Sequence, residues 1–233
     1  MRWWCFLLLA GCRADDWLEY SWDDRAIVCS RGLDDLWRSA PWTEIEQQLE
    51  SAAAHDAVTF LHAHAPGRTV SHGAISRVLH AADAAKLSYV TFPMLQPGAP
   101  RAALALSFDD QAIEAWTEIR PLLSAHDAHV TFFVTRLHLW TPEQLEMLQV
   151  LRDDGHAIEA HSVAHLHAPA YVEAHGVNAY VADEVLPSII GLDEIGEPVT
   201  AYAYPFGESV DEVDSALLEQ VGRIRVGIGS CPY

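Results

Sequence analysis

Asp109 and Asp110 end the apolar run in LSFDDQ (106–111) and place two adjacent carboxylates there with no basic neighbour. Carboxylates that close repel each other and resist burial unless a cation engages them. Fifty-one residues beyond Asp110, HSVAH sets His161 and His165 four apart. On a helical turn that spacing puts both imidazoles on one face, within reach of a single ion. Two histidines and one carboxylate leave coordination positions open, as a hydrolytic metal centre requires, and the second carboxylate is then available as a general base. The competing structural readings are a helix cap for the aspartates and two solvated loop histidines. A near copy, YSWDDR (20–25), carries its own counter-charge in Arg25 and has no histidine pair at matching spacing. It reads as a structural ion pair or a rim loop.

The elements that must position these groups alternate along the chain. Apolar strands are expected at 20–29, 57–64, 87–95, 103–108, 129–134 and 223–230, with a strand or strand end at 156–162 and a strand running into a loop over 199–207, and helices at 41–55, 69–86, 111–125, 141–155, 179–192 and 211–222. Such alternation, with continuously apolar strands, argues for a parallel α/β architecture, either a barrel or a doubly wound sheet. Polar residues at the C-terminal ends of strands are the natural site candidates in these folds. Asp109, Asp110, His62, His64 and His161 all stand there.

With 233 residues, half of them hydrophobic, the chain can bury a sizeable core, and the length favours one domain. Fourteen basic against 33 acidic residues give a net charge of −19, which repels phosphate backbones and argues against nucleic acid as a partner. The N-terminal MRWWCFLLLAGC is too short an apolar run to span a membrane. Its Leu9-Ala10-Gly11-Cys12 resembles the lipobox of bacterial lipoprotein signals, which implies export and lipid anchoring to the bacterial envelope at Cys12. Residues 1–12 are then a signal and 13–233 the catalytic domain. Once Cys5 and Cys12 are set aside, Cys29 and Cys231 remain. They could pair in an oxidising compartment or stay as two buried thiols.

LSFDDQ, HVTFFV, DGHAIEAHSVAH and AYAYPFG, in that order over residues 103–228, resemble the polysaccharide deacetylases of carbohydrate esterase family four. The resemblance implies a distorted (β/α) barrel. It also implies a divalent metal, zinc with cobalt or nickel as alternatives, held by Asp110, His161 and His165, with Asp109 as the base. This sequence departs from the family pattern at Gln111, where a glycine is usual. It departs again at Ala203, where the family places an arginine that steers the base.

The family's closing motif, an apolar strand ending in the histidine that acts as the acid, has no counterpart after residue 230. Instead VTFLHAHAPGRTVS, a helix and LSYVTFPML in the first third are similar to that closing segment. The chain therefore reads as circularly permuted, with 13–100 as the closing segment and 101–233 carrying the metal motifs. Permutation needs termini that lie close together, and a closed barrel provides them. His64 is the first choice for the acid and His62 the second, because strand alternation points both to the same side. The same permutation brings Cys231 near Cys29. The expected reaction is metal-assisted hydrolysis of N- or O-acetyl groups on a glycan, with the backbone N–H of Phe206 at the oxyanion. Trp116, Trp140 and Tyr204 are candidate platforms for sugar faces. The alternatives are a hydrolase of cyclic imides or another C–N bond on the same fold, and an anchored glycan-binding protein whose site is degenerate at Gln111 and Ala203.

Overall fold

The structure, a computed structural model, describes residues 18–37 and 40–231; the lipobox-like segment with Cys5 and Cys12 lies outside them. Its strands are β1 (Glu19–Tyr20), β2 (Ile27–Gly32), β3 (Val58–Ala63), β4 (Ser88–Tyr89), β5 (Ala103–Asp110), β6 (Thr131–Val134), β7 (Ala157–Ala160), β8 (Ala201–Ala203) and β9 (Arg223–Gly227). In the order β3-β2-β9-β8-β7-β6-β5 the strands pair in parallel, and β5 pairs back onto β3 from Val58↔Ala103 to Ala63↔Phe108, which closes a seven-stranded barrel. Of the two architectures open to the sequence, the barrel is the one formed.

Alternation along each strand sorts the residues into two cores. Leu104, Leu106 and Phe108 of β5, with Ile224 and Val226 of β9, face outward onto the helices. Val58 and Phe60 of β3, Ala103 and Ala105 of β5, Phe133 of β6 and Ala203 of β8 face inward and fill the N-terminal half of the barrel. The outer layer includes α1 (Trp42–Ala54), α2 (His72–Ala84), α3 (Ile113–Glu118), α4 (Arg120–Ala125), α5 (Pro142–Asp153), α6 (Ala168–His175), α7 (Val177–Tyr180), α8 (Leu186–Glu194) and α9 (Asp211–Leu217). Ile45, Leu49 and Ala52 form the buried stripe of α1. Ser71 caps α2 by accepting the Ala74 N–H, and Thr141 with Gln144 forms a capping box on α5.

Four expected elements differ from those observed, the first being the helix expected over 111–125, which forms as two, Ile113–Glu118 and Arg120–Ala125. Residues 20–29 are not one strand: Trp22 and Asp24 take left-handed φ values of 62° and 59°, which break the ladder between β1 and β2. The stretch 87–95 contributes only Ser88–Tyr89 to the sheet, because Pro93 cannot donate to a ladder. It turns instead into a 3₁₀ turn, Phe92–Met94, and Phe92 plugs the barrel floor against Phe60 and Phe133, at ring distances of 5.6 and 5.0 Å. The helix expected over 179–192 is interrupted by a π turn, Val181–Val185, just before Pro187, whose missing N–H breaks the α ladder.

Cys29 of β2 is joined to Cys231, which follows β9, by a disulfide spanning 202 residues. YSWDDR sits at the opposite mouth of the barrel from LSFDDQ, beside the start of β3. Arg25 there donates to both carboxylate oxygens of Asp23, so the pair neutralises itself locally.

Candidate active site

β5 delivers the two aspartates in different ways. Asp109 continues the inward alternation and is 2% exposed. Asp110 has a φ of 85°, a left-handed conformation that costs on the order of 1–3 kcal/mol for a residue with a side chain. At this rim its Oδ1 meets His165 Nε2 at 3.1 Å and His161 Nε2 at 3.5 Å. That oxygen is buried and no well-aligned hydrogen bond reaches it.

His161, at the end of β7, is 1% exposed, and its Nδ1–H donates to the carbonyl of Ala203 at 2.8 Å. That bond fixes the tautomer and leaves the Nε2 lone pair facing Asp110. His165 arrives differently from the expectation. Residues 161–165 do not form a helical turn, because Ser162 and His165 both have left-handed φ, 66° and 62°. The pair converges through a tight loop that is braced at three points. Ser162 Oγ accepts the His165 N–H at 3.0 Å, Val163 O accepts the Arg136 N–H at 3.0 Å, and the buried Glu184 accepts the Ala164 N–H at 2.9 Å. Glu184 comes from the π turn, which gives that irregularity a purpose.

One ligand atom from each of Asp110, His161 and His165 lies within 4.8 Å of the others. Donors around a tetrahedral ion at about 2.0–2.1 Å stand roughly 3.3 Å apart, so the observed contacts suit a single ion. Two imidazoles and one carboxylate, whose buried Oδ1 has no hydrogen-bond partner, are a fitting donor set for a divalent cation. The two histidines outweigh the effect of burial and hold the Asp110 carboxyl well below the usual carboxylate range.

Asp109 is tethered by Arg225 of β9, whose Nη2 donates to Oδ2 at 2.5 Å, with both side chains buried. Its other oxygen, Oδ1, has no hydrogen-bond partner. Arg225 is the register neighbour of Ala203 on β8. The arginine missing from position 203 is thus supplied by the next strand, over the small side chain that replaced it. Sequence reasoning missed Arg225; its signal was an arginine standing between the apolar Ile224 and Val226 of β9.

His64 and His62 lie side by side with ring centres 5.9 Å apart, as alternation required, but in different surroundings. His64 Nδ1 bonds Asp34 Oδ2 at 2.6 Å, while Asp34 Oδ1 accepts both the His64 N–H, at 3.2 Å, and the Thr69 hydroxyl. Burial pulls the His64 pKa down, but the Asp34 bond and the charges of Asp109 and Asp110 outweigh it and raise it to about 9. His62 bonds only the neutral Ser30 Oγ among side chains, at 2.8 Å; burial, with Arg225, His64 and His161 nearby, keeps it uncharged. Asp34 also went unnoticed in the sequence, although it too belongs to an Asp-Asp pair at the end of a strand, β2.

Phe206 stands at φ 61°, ψ 0° in the loop after β8, with its ring 4.8 Å from that of His165. The loop is held by Gly207, where a Cβ would lie 2.8 Å from the backbone nitrogen of Gly227. Two of the three expected sugar platforms are core residues. Trp116 is fully buried and packs on Phe132, and Tyr204 is fully buried with its hydroxyl donating to Asp214 at 2.7 Å. Trp140 does line a cleft of about 560 Å³, together with Asp110, His165, Gln111, Arg136 and Arg68.

Residues 97–222 match the family described as Polysaccharide deacetylase. No curated protein matches the sequence. Among solved structures, the chain is similar to a de-N-acetylase from Aggregatibacter actinomycetemcomitans, with a TM-score of 0.60 at 16% identity, covering 73% of this chain and 92% of that one. It is also similar to the Streptococcus pyogenes deacetylase PplD (TM-score 0.48, 15% identity, 89% and 92% covered) and to IcaB from Ammonifex degensii (0.47, 15%, 88% and 86%). The first of these supports the barrel fold, and the family match spans more than half of the chain. This protein belongs to the polysaccharide deacetylase family.

Proposed function

We propose that the chain is a metal-dependent deacetylase that hydrolyses N- or O-acetyl groups of a polysaccharide or cell-wall glycan. The observation that carries this reading is the convergence on one rim of a trio, Asp110 with His161 and His165, and two pairs, Asp109 with Arg225 and His64 with Asp34. Asp110, His161 and His165 would hold a divalent ion, zinc or else cobalt or nickel, which when bound polarises an acetyl carbonyl and lowers the pKa of water. Arg225 holds one oxygen of Asp109 and leaves Oδ1 to take the proton of the attacking water. The Phe206 N–H serves the oxyanion. His64, protonated below about pH 9, gives its proton to the departing amine or alkoxide. Neutral His62 does not fit that role. Gln111, exposed at the cleft, leaves these pairs intact.

The circular permutation belongs to the same proposal. It is supported by β2 and β3, which bring Asp34 and His64 into the gap between β9 and β5, while the family match begins only at residue 97. Export with lipid anchoring at Cys12 is also proposed, and the disulfide between Cys29 and Cys231 favours an oxidising compartment. Acetate release from chitin oligomers and peptidoglycan, run beside a panel of cyclic imides, tests the activity. The proposal expects acetate from a glycan and no imide ring opening; the reverse pattern sinks it.

A further inference from the structure

The cleft that leads to Asp110 is lined by two arginines, Arg68 and Arg136. In a chain of net charge −19, Arg25, Arg31, Arg77, Arg120, Arg152 and Arg225 each pair with a carboxylate. Among the described arginines, Arg68, Arg101, Arg136 and Arg223 have no carboxylate within salt-bridge distance; Arg223 is engaged by the Tyr20 hydroxyl and backbone carbonyls, whereas Arg68 and Arg136 both line this cleft together with Asp110 and His165. They come from different loops, after β3 and after β6, so their meeting is a product of the fold.

Arg136 is the more telling of the two. It stands at φ 53°, ψ 32°, a conformation that favours glycine, yet the position carries the longest cationic side chain. Its N–H is anchored on Val163 O at 3.0 Å, and its guanidinium makes only a long 3.4 Å contact with the carbonyl of Ala164. Backbone strain retained under an unpaired arginine at a functional rim points to a task for the guanidinium. The one further carboxylate lining the cleft, Glu114, accepts the side-chain N–H of Gln144 at 2.9 Å.

We propose that Arg136 and Arg68 form an anion subsite, and that the glycan deacetylated here carries a carboxylate or phosphate beside its acyl-bearing sugar. This rests on the deacetylase reading and names its substrate class. A planar guanidinium binds either group through two parallel hydrogen bonds, which selects arginine over lysine. The net charge of the chain repels an anionic glycan at long range, but at about 0.1 M salt that repulsion fades beyond roughly 10 Å. Close to the site, the two arginines decide.

The test compares matched oligosaccharides on the metal-loaded protein. One pair is a peptidoglycan tetrasaccharide with free lactyl carboxylates and its methyl ester; the other is 6-phosphorylated chitotetraose and plain chitotetraose. Binding is read by the fluorescence of the tryptophans, Trp140 being in the cleft, and turnover by acetate release across a salt series. The proposal predicts that one anionic form exceeds its neutral partner by about tenfold at low salt in binding and in kcat/KM. Which form does so identifies the source of the anion. The preference falls to within about twofold in Arg136→Gly, which suits the left-handed backbone, and in Arg68→Gln; Arg136→Lys keeps part of it. Equal binding of neutral and anionic forms by the wild type, or a preference that survives both substitutions, overturns the subsite. An anionic preference in binding with no acetate from any oligosaccharide overturns the deacetylase reading and leaves the subsite standing.

Discussion

The two mouths of the barrel each carry an aspartate pair, and the pairs are handled in opposite ways. At the N-terminal mouth, Asp23 is answered by Arg25 two residues away, in a partly exposed ion pair. At the C-terminal mouth, Asp109 is answered by Arg225 across 116 residues of sequence, with both groups buried, and Asp110 by histidines from another loop. A charge pair made within one turn of chain needs nothing from the fold. A pair that exists only once the barrel closes is made by the fold, and the oxygens it leaves unpartnered are those free to do chemistry. Left-handed backbone at non-glycine residues occurs at both mouths: Trp22 and Asp24 adopt it beside the local pair, and Asp110, Arg136, Ser162, His165 and Phe206 adopt it at the C-terminal rim.

Substitutions at the two mouths can break or sharpen this contrast. Asp109→Asn removes the proposed base while keeping its shape, and acetate release should fall by about 10²–10⁴-fold, as for other general bases. Arg225→Met leaves a buried carboxylate without its partner and should cost about 3–5 kcal/mol in denaturant unfolding. The double variant Asp109→Asn/Arg225→Met should regain much of that stability, and a double variant no more stable than Arg225→Met would contradict the pairing.

Asp34→Asn should act on pH dependence. With Asp34 present, His64 is protonated up to about pH 9, so kcat should fall as pH rises through that value. Without it burial dominates, and the alkaline limb should move to or below the ordinary histidine value of about 6.5. The stability that His64 gains from its raised pKa is likewise full below about pH 6.5 and lost as pH climbs through 9. A limb that stays put in Asp34→Asn would remove His64 from the acid's role. The smallest effect belongs to the other mouth: Asp23→Ala should change stability by less than about 1 kcal/mol and leave acetate release unaltered.

Much of this arrangement was legible in the sequence because strand alternation and strand ends are local properties. Strand ends singled out Asp109, Asp110, His62, His64 and His161, the period-two pattern set His62 and His64 on one side, and the family resemblance carried by the motifs implied the barrel. What was not legible depended on partners distant in sequence. Nothing near Asp109 indicates Arg225, which matters only because closure sets β9 beside β8 and Ala203 leaves room for it. Asp34 looks like any other aspartate until β2 and β3 lie side by side. HSVAH was read with helical geometry, but left-handed residues build the loop, and they leave no periodic trace. Trp116 and Tyr204 show the converse: an aromatic residue near a motif is as readily core as platform, and only burial separates the two.

The most direct test of the central claim is the metal content of the purified protein after incubation with zinc, cobalt or nickel and removal of excess ion, measured by mass spectrometry on wild type and Asp110→Ala. The account predicts close to one ion per chain in the wild type and loss of that ion in the variant, with His161→Ala behaving alike. A wild type that takes up no ion stoichiometrically, or an uptake that Asp110→Ala leaves unchanged, would contradict it.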